Sequence, residues 1–198
     1  ALSSVLLLNT IDEPAQNQTH ISVMTVGGSF NKSKKWKNSS ISFNTSYINL
    51  KPYYLLAPQS LDWNKAPESI SGETVFRTKI KNGLLKVYAA FENSSMNLNQ
   101  KDVNYTDKIK FGLINNNFYI NSIYKGDIAT ALQLQTGFSF GYGNNQIGIN
   151  ADKLNNYERA LHYKLKLRKT FSNMFKLNVG GEFFHTNFNE NYKPFSQN

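Results

Sequence analysis

Leu132-Gln133-Leu134-Gln135-Thr136-Gly137-Phe138-Ser139-Phe140-Gly141-Tyr142 is the stretch that decides the fold class. Leu132, Leu134, Thr136, Phe138, Phe140 and Tyr142 fall on one side of an extended chain; Gln133, Gln135, Gly137, Ser139 and Gly141 fall on the other. A period of two sustained this long marks a strand whose two faces meet different surroundings. The same rhythm recurs on both sides of it. Upstream, Ile41, Phe43 and Tyr47 alternate with Ser42, Asn44 and Ser46, Leu85, Val87, Ala89 and Phe91 with Lys86, Tyr88 and Glu92, and Ile109, Phe111 and Leu113 with Lys108, Lys110 and Gly112. Downstream, Tyr163, Leu165 and Leu167 oppose Lys164, Lys166 and Arg168, then Phe175, Leu177, Val179 and Phe183 oppose Lys176, Asn178 and Glu182. Helical periodicity is hard to find, so the chain is all-β.

The connections sort by length. Short clusters of turn-forming residues stand at Lys34 to Asn38, Lys81 to Gly83, Asn115 to Asn117, Gly143 to Asn145 and Ser172 to Asn173. Longer polar segments stand between them: Ile11 to Gln18, Lys51 to Ser69, Asn93 to Asp107, Lys125 to Thr130 and Asp152 to Ala160. Tight hairpins at one end and long loops at the other are the habit of an outer-membrane barrel. The count predicts about eleven strands at roughly 18 residues each with connection, which suits strands of about ten residues tilted across a bilayer better than the 8 to 12 residue spacing of a soluble sandwich. The predicted fold is therefore an antiparallel meander forming part of a transmembrane β-barrel, one domain over residues 1–198.

Composition agrees. The 198 residues contain no cysteine, which excludes a disulfide framework and a cysteine-built zinc site. The longest apolar runs, Val5 to Leu8 and Tyr53 to Ala57, are far shorter than the roughly 18 residues of a spanning helix. A mean hydropathy of -0.47 is compatible with a membrane barrel, because half of each barrel strand faces a polar lumen. No export signal is visible in Ala1 to Thr10, and neither end carries a terminal signature, so a fragment of something longer is expected. Both ends read as unfinished.

Aromatic residues near strand ends (Trp36, Tyr53, Tyr54, Trp63, Tyr142 and Phe175) match the girdles that barrels place at headgroup level. Tyr53, Tyr54 and Trp63 stand in a loop stiffened by Pro52, Pro58 and Pro67 and are the candidate ligand-binding residues; packing of the loop against itself is the plainer role. The net charge of +9 raises nucleic-acid binding, but the basic residues are spread among strands without an RNA-binding signature, and that role is set aside. Instead Lys79, Lys86, Lys166, Arg168 and Lys176 all stand near short turns on the polar side and are candidate lumen-facing basic residues, for an acidic plug or anionic ligands. His20, His162 and His185 are isolated, and there is no HExxH, GxSxG or P-loop; after Gly141-Tyr142-Gly143 the third glycine of GxGxxG is missing. Neither catalysis nor a metal or cofactor is expected.

The stretches Ala1 to Thr10, Ile21 to Gly28, and Tyr47 to Tyr54 followed by Asp62 to Glu68 resemble the β-barrel region of TonB-dependent outer-membrane receptors of Bacteroidetes type: a first strand after the plug, a returning second strand, and a third running into a long outside loop. The resemblance implies active nutrient uptake across the outer membrane of a Gram-negative bacterium through a barrel of about 22 strands with a plugged lumen. Its ligands would be ferric siderophores, cobalamin or glycans, and its partners membrane lipid and the TonB complex acting through a plug absent from these residues. Such a fragment is not transport-competent alone. The alternative of another class is a secreted or surface β-sandwich adhesin or carbohydrate-binding module, whose apolar face would pack on a second sheet.

Overall fold

A computed structural model describes residues 14–57, 61–101, 103 and 106–194. Nine strands succeed one another: β1 (Gln18–Met24), β2 (Gly27–Lys35), β3 (Ser39–Asn49), β4 (Asp62–Ile80), β5 (Gly83–Gln100), β6 (Ile109–Ala129), β7 (Leu132–Ile149), β8 (Asp152–Thr170) and β9 (Lys176–Lys193), with one short helix, α1 (Lys51–Leu56), between β3 and β4. They form one antiparallel sheet in sequence order, each strand bonded to the next. No pairing joins β1 to β9 among the described residues, so the sheet is an open meander.

Its strands are long. From β4 onward each runs 18 to 21 residues, against a usual 5 or 6. Residues directly opposite in an antiparallel ladder point to the same side, so the register assigns every side chain to a face. One cross-strand row reads Ile41, Phe76, Val87, Ser122, Phe138, Tyr163 and Phe183; a row two residues on reads Phe43, Thr74, Ala89, Ile120, Phe140 and Leu161. We term this the aromatic face. The interleaved row Ser33, Ser42, Val75, Tyr88, Asn121, Ser139 and His162 belongs to the opposite, serine face.

Burial runs opposite to that of a water-soluble sheet. On the serine face Ser40, Ser33 and Arg77 keep 2%, 6% and 6% of their surface exposed, while on the aromatic face Phe76, Phe43 and Tyr47 keep 37%, 40% and 43%. Among the described residues Leu98 is the one buried hydrophobic side chain. It stands in register between Trp63 and Phe111.

Several expectations change. The described residues hold nine strands, not eleven, and Asn115 to Asn117 and Gly143 to Asn145 are not turns: they face each other in the middle of β6 and β7. Asn and Gly favour turns when alone, but here amides stack in register, and Asn93 Nδ2 donates to Asn116 Oδ1 across β5 and β6. Tyr142, opposite Phe118 and Arg159, accordingly lies mid-strand rather than by a turn. Lys125 to Thr130 and Asp152 to Ala160, read as long connections, are mostly strand, and the hairpins beside them close through two residues, 130–131 and 150–151. Ile21 to Gly28 is the end of β1, a turn and the start of β2 rather than one strand. Lys51 to Ser69 and Asn93 to Asp107 shorten to the connections 50–61 and 101–108, because Asp62 to Ser69 belongs to β4 and Asn93 to Gln100 to β5; these two connections do share one end of the sheet. The expectations for Ala1 to Thr10, for Ile11 to Glu13 and for Pro58 fall outside the described residues.

At Gly72 a ring takes the space of a side chain: a Cβ there would lie 2.5 Å from Cε1 of Phe91, its cross-strand partner, and the ring would have to turn aside.

Hydrogen exchange checks the strand count: amides of 115–117 and 143–145 should exchange at least about 100-fold more slowly than those of the 150–151 turn. Equal rates would restore the two extra turns.

Candidate functional site

The end that carries the long connections gathers most of the polar and aromatic chemistry. Pro52 sits in the first turn of α1, where a missing N–H costs nothing, and Ala57 N closes the helix on Tyr53 O at 3.0 Å. The helix holds Tyr54 against Trp63, ring centroids 5.5 Å apart and stacked, with Tyr53 tilted 6.2 Å from Tyr54. One face of each of those two rings is therefore taken within the protein. Tyr53, about half exposed, is the ring left open. Trp63 Nε1–H is buried with no acceptor among the described residues. Beside the rings lies a cleft of about 510 Å3 lined by Asn49, Lys51, Tyr54, Asp62, Trp63 and Glu68 among others.

Hydrogen bonds tie this cleft to β5 and β6. Lys108 Nζ donates to Asp62 Oδ2 at 2.7 Å, Asn64 donates to both Asn97 and Asn99 at 2.8 Å, and Tyr47 OH donates to Glu68 Oε1 at 2.8 Å. Lys65 adds a 3.2 Å ion pair to Glu68. The Lys108 ammonium, then the Asn99 amide, holds the Asp62 carboxyl below its usual range; the Tyr47 hydroxyl, then Lys65, does the same for Glu68.

A second hollow, of about 270 Å3, is lined by Ile48, Leu50, Pro67, Met96 and Leu113 among others. It marks a reversal of polarity. Toward this end the aromatic face becomes polar (Asn93, Asn116 and Asn144 in one row), while the serine face becomes apolar (Met96, Leu113, Ile147 and Leu154 in another). Ile109, Phe111 and Leu113 thus alternate as expected but stand on the opposite side from Leu85 to Phe91. The signal that would have revealed Met96 and Leu113 is this parity change, which no single strand displays.

The predicted basic residues lie together at the other end. Lys79, Lys86, Lys166, Arg168 and Lys176 fall on the serine face of β4, β5, β8 and β9. Lys35, Arg77, Lys125 and Lys164 join them in adjoining rows. Arg168 Nε donates to Asn178 Oδ1 at 2.9 Å. His162, isolated in sequence, has Glu182 of β9 3.2 Å away, and Lys164 shares that carboxylate. Nothing joins this basic region to Tyr53, Tyr54 and Trp63, which occupy the far end of the sheet.

Comparison with protein families, curated proteins and solved structures finds no match to this chain.

That geometry sets a pH response. Carboxyls whose folded-state pKa is depressed hold fewer protons folded than unfolded, so the Lys108–Asp62 and Tyr47–Glu68 contacts are at full strength above about pH 4 and are lost as pH falls through the lowered values. In a Trp36→Phe background, emission from Trp63 should change as pH falls below the ordinary carboxylate range, about pH 4, and the added changes Asp62→Asn and Glu68→Gln should remove that transition. A transition that survives both would place its cause elsewhere.

Proposed function

We propose that this chain is part of an outer-membrane β-barrel of the active nutrient-uptake class, with lipid against the aromatic face and a water-filled or plugged lumen against the serine face. One observation carries the reading: the large apolar side chains of the aromatic face are exposed while Ser33, Ser40 and Arg77 of the serine face are buried, the arrangement of a sheet whose solvent is hydrocarbon on one side. Its dimensions agree. The apolar rows run from Leu85 to Phe91 on β5, and aromatic rings flank them: Phe118 and Tyr142 with Tyr47 and Tyr157 just beyond on one edge, Trp36, Phe171 and Phe175 in turns on the other. From Tyr157 to the end of β8 is about the 9 to 11 tilted residues a bilayer requires, with a few to spare.

In this reading the remaining length of each strand extends beyond the membrane, and the polarity reversal marks the boundary. The Tyr53 ring and the neighbouring cleft then face outside, where a siderophore, cobalamin or glycan would arrive. Energy would come from the TonB complex through a plug domain lying outside these 198 residues. The competing arrangement, a β-sandwich adhesin, would need a second sheet over the aromatic face.

Phe138→Arg and Ser139→Arg separate the two. They are adjacent in β7 and point to opposite faces. In protein reconstituted into phospholipid vesicles, Phe138→Arg should cost about 2–4 kcal/mol in denaturant unfolding, as for a cation at the bilayer midplane, and Ser139→Arg much less. A protein that stays in solution without detergent, with both changes costing alike, would favour the sandwich.

A further inference from the structure

Charge on the serine face is sorted by height. Lys35, Arg77, Lys86 and Lys164 share one row, and every other lysine and arginine of this face among the described strands lies below it, toward the short turns, with Asp127 and Glu182 for company. The next row up, with Ser42, Val75, Tyr88, Asn121 and Ser139, carries no lysine, arginine or carboxylate. Above it, toward the long connections, the same face of the described strands holds Glu73, Glu92, Glu158, Glu190 and Asp152 and no lysine or arginine. One face thus has an acidic half and a basic half.

Within the acidic half lies a hollow of about 390 Å3, lined by Asn44, Glu73, Tyr88, Glu92, Asn117 and Tyr119 among others. The register builds its walls. Tyr119 stands opposite Ala90 on one side and Gly141 on the other, neighbours too small to cover it, and it keeps 39% of its surface exposed. The Tyr88 ring packs tilted against it with centroids 6.1 Å apart, and the Tyr88 hydroxyl donates to Glu73 Oε2 at 2.9 Å. Asn121 Nδ2 donates to the Tyr119 hydroxyl at 3.2 Å, and Asn44 Nδ2 to Glu73 Oε1 at 3.4 Å. Both rings and one carboxylate are therefore positioned by the protein itself.

Glu92 differs from Glu73. It stands opposite Ser71 and Asn117, exposed, and its carboxylate meets no donor among the described residues. A carboxylate beside the face of a tyrosine suits an organic cation, which gains a charge-assisted hydrogen bond from the one and attraction to the ring quadrupole from the other. A bare metal ion fits poorly: Glu73 and Glu92 are diagonal neighbours, roughly 7–8 Å apart, and no group of three metal-ligating side chains occurs among the described residues. A neutral ring could stack on Tyr119, but the sorting of charge along the face would add nothing to its binding.

We infer that this hollow binds an organic cation, an alkylammonium or guanidinium group held between Glu92 and Glu73 with its carbon skeleton against the Tyr119 ring. The acidic half of the face raises the local concentration of such a cation, and the basic rows beneath repel it, so it is held at this height. The site is separate from the cleft beside Tyr54 and Trp63, with which it shares only Glu73's strand, β4. The inference concerns the serine face alone. It holds whether that face lines a lumen or meets open water, so it does not rest on the membrane reading.

Agmatine, which carries a guanidinium and an ammonium group, is the probe, titrated by calorimetry into the intact protein in an uncharged detergent. Salt is held near 0.1 M, where charges more than about 10 Å apart are screened. Agmatine should bind, and Glu92→Gln, an isosteric change at an exposed position, should weaken it about tenfold by removing one charge-assisted contact. Tyr119→Leu should weaken it about threefold through loss of the ring face. Glu190→Gln, equally acidic on the same face but four strands and about 19 Å from Glu92, should change it by no more than about twofold. An absence of agmatine binding, or full affinity in Glu92→Gln, would overturn the inference. Equal losses in Glu92→Gln and Glu190→Gln would also overturn it, leaving a diffuse field in place of a site, as would glucose binding as tightly as agmatine. No bilayer enters the measurement, so failure here is distinct from failure of the membrane reading.

Discussion

An antiparallel ladder assigns faces all at once: a slip of one residue in any pairing would send a whole strand's apolar set to the opposite side. Everything else in this protein depends on that constraint. The nine strands hold a continuous register, interrupted only by irregularities near Trp63 to Glu68 and at Asp127 to Ala129, so rows of like chemistry run across the sheet. Phe76, Val87, Phe138 and Tyr163 form one such row, and Lys35, Arg77, Lys86 and Lys164 share another. A sheet with rows this distinct needs a different neighbour on each side.

Hydrophobic burial therefore does not hold the described sheet together from inside, as it would in a sandwich. The ladder hydrogen bonds and cross-strand pairs hold it, and the apolar rows contribute only once something apolar covers them. The same logic explains the long strands. Where the apolar rows end, the aromatic face turns to Asn93, Asn116 and Asn144, and the serine face turns to Met96, Leu113 and Ile147. Backbone pairing continues through the change because the ladder is indifferent to side-chain polarity. The reversal is what creates the apolar hollow near Leu50 and Pro67, beside the Tyr54–Trp63 stack.

Much of this was legible in one dimension. Period-two alternation gives the strand class and each residue's side within its own strand, because the pleat enforces it locally. Loop composition correctly located the turns at Trp36, Lys81 and Ser172. It misplaced those at Asn115 to Asn117 and Gly143 to Asn145, since an asparagine that pairs with another asparagine across a ladder has the same letter as one in a turn. The clustering of Lys79, Lys86, Lys166, Arg168 and Lys176 at one end was also readable, each being close to a short turn. Arg77, Lys35 and Lys125 were missed because their rows exist only between strands.

What the sequence determined by itself is the alternation, the all-β class, the absence of a spanning helix and the surplus of cations, all of which are properties of neighbours along the chain. The tertiary structure alone decided the number of strands, the joining of alternating segments into two opposed faces, and the reversal of polarity part-way up the sheet. It also decided which aromatic rings are already occupied by one another. The physical reason is the same in each case: register relates residues dozens of positions apart, and the free energy that selects it comes from cross-strand partners and from whatever covers each face, neither of which is written in any single segment.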